Sequence, residues 1–136
     1  MTALTGPRRT PERTGDTRAV PAAAGHVFHP GAIAALDTNT GHAVRAATAT
    51  GLRGLGRVEA HADTNGLSDG DAYISARTGI FRFANHDSDP VDHTAIGTPC
   101  FIADDQTVAA TDGGRTRSPA GTVHDLDAQG VWVQFT

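Results

Sequence analysis

Short apolar runs, rich in β-branched and aromatic residues, alternate along this chain with turn signals, and few stretches repeat their apolar positions at helical spacing. Gly31, Gly41, Asn65-Gly66, Asp69-Gly70, Gly79, Gly97, Asp112-Gly113, Gly121 and Gly130 punctuate it. Runs so divided read as strands joined by tight turns. Strands are expected over residues 18–21, 26–28, 32–37, 43–46, 54–63, 72–84, 99–103, 107–109, 121–127 and 131–135. Side chains in a strand point alternately to its two faces, so Val131, Val133 and Phe135 share one face while Trp132 and Gln134 take the other. By the same rule Phe81 and Phe83 point opposite to Arg82. The one rival helical stretch is 38–55, where Ala46, Ala47 and Ala49 favour a helix and Gly41, Gly51 and Gly54 interrupt it. A helical turn is expected at 93–96, capped by Asp92 and ended by Gly97. The pattern gives an all-β single domain and leaves a closed barrel and a small sandwich both open.

Composition divides the chain. Its 136 residues suffice for one domain, and the apolar share of 38% is carried largely by alanine, with one Trp, one Tyr and five Phe. Such a core is thin, because burying alanine removes little apolar surface from water, so contacts with other subunits are expected to add to it. Residues 1–25 carry Arg8, Arg9, Arg13 and Arg18 against Glu12 and Asp16, with Pro7, Pro11 and Pro21 and few large aliphatics. They read as an extended N-terminal arm that requires a receiving surface, since it cannot bury enough to offset its own ordering entropy. Residues 26–136, the β-rich body, hold seven Arg against thirteen acids. No membrane partner is expected, since no apolar run reaches the roughly 20 residues that span a bilayer. The start MTALTGPRRTPERTG lacks the apolar stretch of a secretory signal, so a soluble, non-exported protein made in the cytoplasm is expected.

The chemistry-bearing residues are numerous but poorly spaced. The chain has no lysine, which excludes Schiff-base, P-loop and Ser-Lys chemistry, and its single cysteine, Cys100, excludes an intrachain disulfide and a cysteine zinc cluster. Asp63, Asn65, Asp69 and Asp71 fail the EF-hand spacing, with Leu67 and Ile74 where ligands belong, and suit turns. The loop 86–93 holds His86, Asp87, Asp89, Asp92 and His93, a conceivable metal-binding or enzymatic site, although Pro90 and the lack of periodicity argue for a solvated loop. His124 and Asp125 are neighbours on a strand and so face apart, and no serine lies in a nucleophile elbow. Neither catalysis, a cofactor nor a bound metal is expected. The acidic, aromatic-poor body argues against direct nucleic-acid binding, and the guanidinium groups of the arm suit carboxylates on an acidic protein surface.

Five stretches together carry a wider resemblance: RAVPAAAG at 18–25, HPGAIAALDTNTGHAVRA at 29–46, GLGRVEAHADTNGLSDGDAYISARTGIFRFAN at 54–85, IGTPCFIADDQTVAATD at 96–112 and AGTVHDLDAQGVWVQF at 120–135. In order and spacing the chain resembles the capsid cement, or head decoration, proteins of tailed bacteriophages, from about residue 10 onward. It departs from their pattern at His26 and Pro30 and in its arginine-rich start. The resemblance implies a barrel-like or tulip-like all-β body that assembles as a homotrimer on the outer surface of the virion head. It also implies an arm that reaches onto the major capsid protein, no enzymatic activity, and a shell stiffened against internal DNA pressure. Arg8, Arg9, Arg13, Arg18, Val20 and Pro21 are then the expected capsid contacts, and Ile80, Phe81, Phe83, Trp132 and Phe135 the expected subunit contacts. A phage tail component, or a small metal-binding module or enzyme built on the 86–93 loop, are the alternatives.

Overall fold

Strand runs separated by glycine turns assemble here into two packed lobes, and the protein is all-β. The structure, a computed structural model, describes residues 2–13 and 15–136. The strands are β1 (Thr17–Pro21), β2 (Val27–Phe28), β3 (Ile33–Asp37), β4 (Ala43–Arg45), β5 (Leu52–Val58), β6 (Ala62–Asp63), β7 (Tyr73–Arg77), β8 (Gly79–Asn85), β9 (Pro99–Ile102), β10 (Thr107–Ala109), β11 (Pro119–Asp127) and β12 (Gly130–Phe135). In the first lobe a five-stranded sheet runs in the order β1-β7-β5-β3-β4, with β2 and β6 paired as a separate short ribbon. A parallel bridge between Ala22 and Ala43 brings its two edges together at one end. The second lobe is a closed barrel, β10-β8-β12-β11-β9, antiparallel except between β10 and β8.

The expected alternation explains the packing. Val131, Val133 and Phe135 fill the barrel interior, while Trp132 and Gln134 face outward opposite Arg82 and Ile80 of β8. In β11 the pairing passes from Val123↔Val133 to Asp125↔Trp132, leaving His124 as an extra residue. This bulge reverses the facing of everything after it, so Leu126 turns in against the core and Asp125 turns out. β3 follows another rule. Ile33 and Ala35 pack with the barrel core, whereas Ala32 and Ala34 pack with the core of the first lobe around Phe28, Leu55, Val58 and Ile74. A strand covered on both faces has no polar alternation, which is why 32–36 is continuously apolar. Its small side chains let two layers close on it.

The lobes touch at paired irregularities. Leu55 is the extra residue of a bulge in β5 and Ala120 that of a bulge in β11. Between them Gly54 approaches so closely that a Cβ would lie 1.9 Å from the Ala120 carbonyl oxygen. Only glycine fits there.

Several expectations are corrected by these contacts. The run 54–63 ends as a strand at Val58, and 72–84 divides at Thr78, where the chain leaves the sheet for the barrel. No helix forms within 38–55, since β4 and the start of β5 are held there by pairing with β3. The helical turn falls at His93–Ala95, with the Asp92 side chain accepting from the Thr94 amide. The arm boundary at 25 is also corrected, because 17–25 belongs to the body: β1 pairs along its whole length with β7, Ala22 is buried, and the Ala23 amide donates to Ala43 O.

Candidate functional site

Residues 2–13 are exposed throughout and form no strand, and the turn Thr10 N to Arg8 O is their sole backbone hydrogen bond among the described residues. Proline at 7 and 11 removes donors and favours extended backbone. Arg8, Arg9 and Arg13 all stand on this segment, and among the described residues none of them has an ion-pair partner.

The root of the arm is firmly held. Thr78, itself buried, donates from its hydroxyl to Gly15 O at 2.8 Å and from its amide to Asp16 O at 2.8 Å. Asp16 also lies 3.8 Å from the Arg77 guanidinium. Asp16 and Ala22 both bond to their β7-side partners, so even-numbered residues of β1 face β7 and the amides of Thr17 and Ala19 point away along the sheet edge. Pro21 has no amide to leave unpaired, which suits an edge.

The remaining expected capsid contacts lie in this strand. The Arg18 guanidinium donates to the Thr136 carbonyl oxygen at 2.6 Å, so it closes the sheet onto the end of β12 instead of extending with the arm. Val20 packs against the first-lobe core and Pro21 is half-buried. A shallow cleft of about 400 Å³ opens beside Arg18, between Leu36 and Arg53 of the sheet and Pro119 and Gln134 of the barrel.

The expected subunit contacts separate in the same way. Phe83 and Phe135 meet edge to face inside the barrel, 6.0 Å between centroids, both buried, so closure of the barrel within one chain removes them from any surface. Phe81 is half-buried against the same core and covered by Arg57, whose guanidinium carbon lies 4.3 Å from the ring centroid. Ile80 is exposed. Trp132 is half-buried on the outer face with Arg82 above it at 5.6 Å, and its indole N–H donates to Asp127 Oδ2 at 3.0 Å. Alternation alone placed Arg82 and Trp132 outward. Their meeting follows from the β8–β12 register, which the sequence does not carry.

The 86–93 loop is occupied with its own structure. His86 Nδ1 accepts the amides of Ser88 and Asp89. Asn85 brackets the turn, accepting the Val91 amide and donating to the Val91 carbonyl. Asp89 accepts from the Thr111 hydroxyl at 2.6 Å and from Arg117 at 2.8 Å, and the Thr111 hydroxyl bond is the largest cause holding its carboxyl below the usual range. Asp92 is lowered likewise by the Thr94 hydroxyl, and Asp127 by the Trp132 indole. His93 is exposed on the helical turn. Among the described residues no three His, Cys, Asp or Glu side chains converge as a metal cluster. Asp63 and Asp71 accept the local amides of Asn65 and Ser68, as turn-forming residues do, and Asp69 accepts the amide of Ala24 from across the fold. Cys100 is buried, and burial raises its thiol to about 11, where it is a poor nucleophile. His124 and Asp125 are both exposed, the bulge having undone their opposite facing.

No helix among the described residues is long and apolar enough to cross a membrane. The chain matches none of the protein-family models, curated proteins or solved structures with which it was compared.

Proposed function

We propose that this protein is a structural capsid cement protein that binds the outer surface of a phage head and stiffens the shell against internal DNA pressure. One observation carries the reading: an exposed, arginine-bearing segment, residues 2–13, springs from a root fixed by Thr78 on a rigid β body. Arg8, Arg9 and Arg13 offer planar donors to carboxylates of the major capsid protein. The arm supplies reach and the body supplies bulk. In a homotrimer three such arms act together, so contacts that are weak singly combine through high effective concentration. The acidic body contributes no nucleic-acid face to this role.

Co-sedimentation with empty, mature heads assembled from the phage's own major capsid protein tests the reading. The full chain is expected to pellet with the heads, and the chain lacking residues 2–13 to stay in the supernatant while remaining folded. Raising salt to about 1 M, where the screening length falls to about 3 Å, is expected to weaken attachment. Undiminished binding by the truncated chain overturns the arm as the gripping element.

A further inference from the structure

The β2–β6 ribbon carries a feature outside the arm. Its register pairs Val27 with Asp63 and Phe28 with Ala62, and His29 and His61 are the next residues of the two chain segments just beyond the ladder. Continued in that register the two would project from the same face, as opposed residues of an antiparallel pair do. The two imidazole centroids are 5.9 Å apart and the rings are tilted by 56°. Both residues are exposed, and neither ring makes a hydrogen bond among the described residues. His26 and His86 differ, each accepting backbone amides through Nδ1.

The backbone beneath the pair is fixed. Phe28 is buried in the first-lobe core, the Ala32 amide closes a turn onto His29 O at 3.1 Å, and the Gly31 amide bonds to Val58 O at 2.9 Å. Before His61, the Glu59 amide is held by Ser75 O at 3.0 Å. Two imidazoles on one tetrahedral ion, at metal–nitrogen distances of about 2.0–2.1 Å, have centroids roughly 5 Å apart. The observed separation is about 1 Å wider, a gap within reach of rotation about the side-chain torsions of two exposed histidines.

We propose that His29 and His61 form a two-imidazole chelate for a late first-row divalent cation of the Zn²⁺, Ni²⁺ or Cu²⁺ class, the other positions being filled by water. Imidazole favours these ions over Mg²⁺ or Ca²⁺, which take oxygen ligands. A bound ion clamps a ribbon only two residue pairs long that carries the buried Phe28.

Calorimetric titration of the tag-free full chain with Zn²⁺ and with Ni²⁺ tests this, with Mg²⁺ as the blank. One ion per chain is expected, together with a rise in melting temperature of roughly 5 °C or more at saturation. His29→Gln and His61→Gln, both exposed and so tolerated by the fold, are each expected to weaken binding about tenfold or more. His93→Gln, at an exposed histidine elsewhere, is expected to leave it unchanged. Binding that persists in the His29→Gln, His61→Gln double variant overturns the site, as does no binding at all. Half an ion per chain overturns it too, by showing ligands drawn from two chains. Head binding by the arm is a separate measurement and stands or falls apart from this one.

Discussion

Asp89 shows how much one carboxylate can organise. It joins the 86–93 loop to Thr111 and to Arg117, whose side chain is only 14% exposed and whose Nε finds no partner among the described residues. Because the folded state holds Asp89, Asp92 and Asp127 below their ordinary values, each favours folding at pH above the unfolded carboxylate value. That contribution is lost as pH falls through the depressed folded value. The urea midpoint is therefore expected to drop between about pH 5 and about pH 2. The drop should be smaller in Asp89→Asn, and equal slopes would show that the Asp89 contacts add nothing. Gly54 makes the opposite kind of demand, for absence of a side chain. Gly54→Ala would place a methyl group against the Ala120 carbonyl and is expected to cost about 3 kcal/mol or more in a denaturant melt. Gly6→Ala, with open space around it, should stay within about 0.5 kcal/mol.

Among the elements, β1 decides where the arm ends. Removing residues 2–13 is expected to leave the melting temperature unchanged within about 2 °C, whereas removal through Pro21 strips five residue pairs from β7 and Val20 from the first-lobe core. The longer truncation should be destabilised by about 3 kcal/mol or more, measured by the same melt. A folded, soluble body is thus expected after a cut before Gly15, not after a cut at 20 or 21. The sequence marked most of the strands because their period of two is local, and glycines bound them. It marked Arg8, Arg9 and Arg13 as arm residues for the same reason, through composition. What it left hidden depends on partners far along the chain. The strand expected at 18–21 forms, but its place in the body follows from its pairing with β7, and Arg18 turns inward because Thr136, 118 residues away, offers its backbone oxygen. Alternation showed that Phe83 and Phe135 lie on apolar faces, but not that the barrel closes over those faces. The bulges at Leu55 in β5 and at Ala120 and His124 in β11 leave no mark in period or composition, yet they decide which residues of those strands face inward.

The whole molecule has two cores with a shared wall. β3 contributes Ile33 and Ala35 to one and Ala32 and Ala34 to the other, so neither lobe can open without exposing the other's lining. A single calorimetric transition is expected, with an enthalpy of about 95 kcal/mol near 60 °C for a chain of this length and agreement between calorimetric and van't Hoff values. Two resolved peaks would show that the lobes unfold apart. Charge is also divided at this scale, since the exposed arm carries Arg8, Arg9 and Arg13 against Glu12 while the body is acidic. The arm's root has a mechanical corollary. A force drawn through residue 15 along the axis of β1 loads all five of its pairs with β7 in shear, so they must rupture together. The same force applied across that axis would unzip them singly. A load carried by the arm along β1 is thus shared by every rung of that ladder.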